Sequence, residues 1–129
     1  MEAKAHNTPL SPQECRQLLA RHELGRVAWA TTDGIVVLPV SYRLVEDRIV
    51  FRTATGALLA GLAVPQPVAF EIDDLDSETQ TGWSVLAQGI SGSGEPGEAA
   101  ETRPWAPGDR PVTVVIQPSA YSGRVIAAS

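Results

Sequence analysis

Apolar residues recur along this chain at two spacings, and the change from one to the other separates a single helix from a series of strands. Ser11-Pro12-Gln13-Glu14 combines an N-cap serine, a proline at the first helical position and a glutamate placed to complete a capping box. Cys15, Leu18, Leu19 and His22 follow at helical spacing, which predicts a short helix with a narrow apolar stripe, broken at Gly25. From Leu24 to Thr31 strand formers take over, and Asp33-Gly34 is the residue pair that favours a tight hairpin. Ile35 to Leu44 is then the returning strand. Pro39 inside it cannot donate to a ladder, which predicts an edge, a bulge or an interruption that exposes backbone groups. Glu46-Asp47 makes a second turn, and Arg48 to Thr53 the next strand.

Gly56 to Val64 has the pattern of a short helix that Pro65 ends, and Val68 to Asp73 that of another strand. The acidic run Asp73, Asp74, Asp76 and Glu78 is expected to be a solvated loop, metal binding being the alternative. Trp83 to Ile90 returns to strand character, and Gly92, Gly94, Pro96 and Gly97 open a polar connection. Val112 to Gln117 and Tyr121 to Ala127 are expected as closing strands separated by a turn at Pro118-Ser119. The sum is a mainly β protein, an antiparallel barrel with one helix in front and one small peripheral helix. Residues 1–9 are expected to be a flexible leader and 10–129 a single domain.

Composition narrows this further. A chain of 129 residues, 43% hydrophobic and 19% charged, has material for one core. Its net charge of -5, with basic residues scattered, argues against a nucleic-acid partner, because phosphate neutralisation needs a basic face. No apolar run approaches the roughly 20 residues of a membrane span, and the start is polar where a signal peptide would be apolar, so a cytoplasmic protein without a membrane partner is expected. The single cysteine, Cys15, excludes an internal disulfide framework. His6 and His22 are isolated, which leaves neither a nucleophile with its base nor a metal site in view.

The informative stretch is Ile49-Val50-Phe51-Arg52-Thr53-Ala54-Thr55-Gly56-Ala57-Leu58-Leu59, a strand running through a polar turn into a helix. Such a junction can aim amide donors, Arg52 and the Thr53 hydroxyl at an anion, or be an ordinary strand exit whose threonine caps the helix. In order, Leu24-Gly25-Arg26-Val27, Pro39-Val40-Ser41-Tyr42, Phe51-Arg52-Thr53, Val68-Ala69-Phe70-Glu71 and Gly82-Trp83-Ser84-Val85 resemble the pyridoxamine 5'-phosphate oxidase-like flavin-binding split-barrel proteins. The resemblance extends through Arg103-Pro104-Trp105-Ala106-Pro107-Gly108 to Ser122-Gly123-Arg124. It implies a split β-barrel homodimer of antiparallel, Greek-key type, with FMN, or a deazaflavin or haem, in a groove between subunits.

Position by position, the resemblance implies that Val37, Leu38, Pro39 and Val40 border the isoalloxazine through main-chain groups. Arg52 and Thr53 would approach the ribityl phosphate, Ser84 the ring or ribityl side, and Trp105 a pocket wall. Core packing is the competing role for Val37, Leu38 and Val40, and burial at the dimer seam for Trp83 and Trp105. Flavin-binding relatives carry basic and hydroxyl residues in the turn where this chain has Gly56-Ala57-Leu58-Leu59, and leucines cannot donate to a phosphate. The implied activity is an FMN-dependent oxidoreductase with a weakened or altered cofactor site, no catalytic residue standing out. The alternative is a non-enzymatic binding module on the same barrel.

Overall fold

The computed structural model describes residues 5–95, 97–98 and 108–128. Strand β1 (Ala5–Pro9) is followed by helix α1 (Pro12–Arg21), then β2 (Leu24–Thr31), β3 (Gly34–Val45) and β4 (Arg48–Thr53). A 3-10 turn (Leu58–Ala63) precedes β5 (Pro67–Asp76), β6 (Thr81–Ser93) and β7 (Val112–Ala128). The capping box forms as the sequence predicts: Glu14 N–H donates to Ser11 Oγ at 3.1 Å, and Ser11 N–H to Glu14 Oε1 at 3.0 Å. Cys15 and Leu19, four residues apart, are buried from this helix.

All strand pairs are antiparallel, in the order β1-β7-β4-β3-β2-β5-β6, and β6 also pairs with β7, so the sheet closes on itself. This is a split barrel, mainly β, with its core inside the ring. Val27, Tyr42, Phe51, Phe70, Val85 and Ile116 fill it, one from each strand β2 to β7. Alternation along each strand sends their neighbours outward. No helix among the described residues is long and apolar enough to cross a membrane.

Four expectations differ from the structure at their edges. Ala5–Pro9, placed outside the domain, pairs as β1 with the end of β7, from Ala5 with Ala128 to Pro9 with Arg124, because β4 pairs only with the early part of β7. The expected turn at Pro118-Ser119 is a bulge: Gln88 faces Ala120 and Gly89 faces Pro118, leaving Ser119 as the extra residue in an unbroken strand. Asp73, Asp74 and Asp76 are not in a loop but in β5, where β6 supplies their partners Ser84, Trp83 and Thr81. The segment Leu58–Ala63 winds as a 3-10 turn rather than an α-helix, with no side-chain cap at Ala57.

Pro39 explains the irregular flank of β3. Tyr42 N–H donates to the Glu23 carbonyl at 2.9 Å, so by alternation Leu38 and Val40 turn their main-chain groups to β2. Those of Val37, Pro39 and Ser41 turn to the opposite flank. On that flank β4 pairs with β3 only from Tyr42 to Val45. The missing N–H of Pro39 therefore falls on an unpaired edge and costs no ladder bond. This is the split in the barrel.

Candidate functional site

At the split, between the free edge of β3 and the end of β4, lies a cavity of about 570 Å³, within the range of roughly 300–1,000 Å³ that holds small ligands. Val40, Leu59 and Ile72 give it an apolar floor, and Pro39 and Ser41 bring the free edge of β3 along one side. Arg52, at the end of β4, and Arg110, just before β7, also line it. Gly25 lies in the wall where a Cβ would run into the Phe70 ring and meet the Glu71 carbonyl at 3.0 Å, so a larger residue would push into the core.

The remaining wall is charged. Arg26 Nη1 donates to Glu71 Oε1 at 2.6 Å and to Asp73 Oδ2 at 2.9 Å, and Arg26 and Asp73 border the cavity. Burial, together with the hydrogen bond and negative charge of Asp73, pushes the Glu71 carboxyl up to about 7. The hydrogen bond from Glu71 and the nearby Arg26 hold Asp73 below the usual carboxylate range, against some desolvation.

Of the residues singled out from sequence, Pro39, Val40 and Arg52 lie in the cavity wall. Val37 is 56% exposed farther along the same free edge, and Leu38 packs against the core. Thr53 follows Arg52 on an alternating strand and is turned inward, only 1% exposed, so the two side chains do not converge. Ser84 is outside the wall but faces Asp73 across β5 and β6. Trp105 lies outside the described residues. Sequence reading missed Arg26, Asp73 and Arg110. Strand parity could have found the first two as outward-facing, since Asp73 alternates with buried Ile72 and Arg26 lies between buried Gly25 and Val27, whereas nothing local marks Arg110.

A closed antiparallel sheet split along one edge, with a ligand-sized cavity at the split, defines a split-barrel protein. The chain belongs to the pyridoxamine 5'-phosphate oxidase family, whose sequence profile matches residues 11–125. An uncharacterised protein of Mycobacterium tuberculosis is 31% identical over 132 residues, spanning 93% of this chain and 86% of that one. The FAD binding protein from Mycobacterium smegmatis is similar in structure, with a TM-score of 0.73 and 28% identity over 93% of this chain and 98% of its own. A Corynebacterium glutamicum protein that carries the pyridoxamine 5'-phosphate oxidase name superposes with a TM-score of 0.78 at 26% identity, covering 94% of this chain and 93% of that one.

Proposed function

We propose that the chain binds a flavin nucleotide, FMN or its adenylated form FAD, in the cavity at the split, and serves as a flavin-dependent oxidoreductase. The observation that carries this reading is a free strand edge and the residues Arg52 and Arg110 lining one largely apolar cavity. The main-chain groups of Val37, Pro39 and Ser41 suit the polar rim of a flat heterocycle. Val40, Leu59 and Ile72 exclude water from its face, and Arg52 and Arg110 hold the phosphate by charge-assisted hydrogen bonds. Bound flavin would supply hydride transfer, while these residues supply binding, orientation and a dry wall. The FAD-binding relative at 28% identity supports the same ligand class.

Titration with FMN, FAD and riboflavin tests this. Arg52→Ala should weaken FMN by about tenfold or more, the loss expected for one charge-assisted hydrogen bond, and leave riboflavin nearly unchanged. Failure of all three flavins to bind the wild-type protein would sink the reading. A second reading, a binding module without bound flavin, is favoured by Ala57 and Leu58, which offer no side-chain donor beside the end of β4. A colourless protein that gains no flavin from excess would establish it. The same groove is proposed to be completed by a second copy of the chain, since Ile35 and Val37 stand exposed at 80% and 56% on the free edge of β3.

A further inference from the structure

Arg26 and Glu71 are cross-strand partners on β2 and β5, and Asp73 lies two residues beyond Glu71, so all three share the outer face of the barrel. A single nitrogen, Nη1 of Arg26, contacts both carboxylates, at 2.6 Å and 2.9 Å. One positive charge does not offset two carboxylates held this close, and the carboxylate pair favours keeping one proton between them. Two of its members, Arg26 and Asp73, line the cavity, and Glu71 reaches it through its contact with Arg26.

We propose that Arg26, Glu71 and Asp73 form a specificity element that couples ligand charge to a proton: an anionic ligand enters the cavity together with a proton taken up by the Glu71 and Asp73 pair. The proposal rests on the flavin reading above and deepens it. With the proton in place the cluster is neutral, and without it a negative charge stands beside the cavity that Arg52 and Arg110 make attractive to phosphate. The elevated Glu71, pushed up to about 7 by burial and by Asp73, puts this exchange near neutrality.

Among the described residues, the charged and titratable surroundings come from each neighbouring element. From β4 and the segment before β7 come Arg52 and Arg110, across the cavity. On β6, Leu86 faces Glu71 and Ser84 faces Asp73, and behind Ser84 stands Arg124 of β7. On β3, Pro39 faces Arg26. The His22 and Trp83 rings meet at a tilt of 53°, centroids 4.9 Å apart, outside the cavity wall.

FAD is the probe of choice, because its diphosphate diester has no proton to exchange near neutrality, whereas the FMN monoester does. FAD affinity for the full chain should fall between about pH 6 and about pH 8, by no more than about tenfold per pH unit, the limit for one proton. Calorimetry in two buffers of different ionisation enthalpy should show proton uptake with FAD and little with riboflavin, and this arm needs no variant. Glu71→Gln should abolish both the pH dependence and the uptake, and so should Asp73→Asn, which leaves Glu71 alone with Arg26. Wild-type binding of FAD that is independent of pH, equal uptake with riboflavin, or unchanged uptake in Glu71→Gln would each overturn the coupling while leaving the flavin reading intact. Absence of FAD binding at every pH would overturn the coupling, and only absence of FMN and riboflavin binding as well would remove the flavin reading with it.

Discussion

Tyr42 ties the helix to the barrel through one atom pair. Its hydroxyl donates to the Leu19 carbonyl at 2.6 Å, in the last turn of α1, and its ring meets Phe70 edge-on at 4.9 Å. Burial pushes this phenol well above its ordinary value, so it stays a donor at every physiological pH. Tyr42→Phe keeps the ring contact and orphans the carbonyl, and should cost about 1–2 kcal/mol, read as a lower urea midpoint at unchanged slope. Glu71 acts on stability in the opposite sense to an ordinary salt-bridged acid. Its carboxyl is raised from an ordinary 4.5 to about 7, so the folded state holds the proton more tightly than the unfolded chain. Its contribution is complete below the unfolded value and is lost as pH rises through about 7. Asp73, held low, opposes it, contributing stability above its unfolded value that is lost as pH falls through its folded one. Glu71→Gln should therefore raise the melting temperature relative to wild type more at about pH 8 than at about pH 5. An equal shift at both would show that Glu71 ionises as it does in the unfolded chain.

Elements whose signals are local could be read from the sequence. The capping box fixed the start of α1, and the Glu46-Asp47 turn appears with both residues at positive φ, 51° and 65°. Elements decided by partners could not. The acidic residues of β5 look like loop until β6 supplies a ladder for them, and Pro118-Ser119 looks like a turn until β6 holds the strand straight on either side of the bulge. The site divides in the same way. Arg52 is marked by its place at a strand exit, but Arg26 meets its carboxylates 45 and 47 residues later, a contact no window along the chain contains. The turn after β4 offers the sharpest engineering test. Leu58 is 57% exposed, so replacing it should not open the core. Ala57→Ser with Leu58→Lys adds a hydroxyl and a cation beside the end of β4, and FMN affinity should rise by about tenfold with riboflavin constant. Arg52→Ala in that background should take much of the gain away. A folded double variant without phosphate-dependent gain would place the phosphate elsewhere.

For the whole molecule, the barrel itself was legible because many short strands with turn chemistry between them admit few closed arrangements, and the ordered set of family-like segments picked one. The half-paired β3 was announced by Pro39, though which flank it opened was not. That free edge, with Ile35 and Val37 beside it, should be covered by a second copy: light scattering should return twice the mass of one chain, and Val37→Glu should shift it toward the single chain. A wild-type protein that stays monomeric at micromolar concentration would instead leave the groove with walls from one chain only. The 17 residues of β7 have a consequence of another kind. They join β4 to β6 and also hold β1, so three earlier strands wait on the last one for their partners. During synthesis the nascent chain carries an open sheet with unsatisfied edges until β7 leaves the ribosome. The ring then shuts in one late, long-range step, the slow kind of folding event that invites chaperone attention.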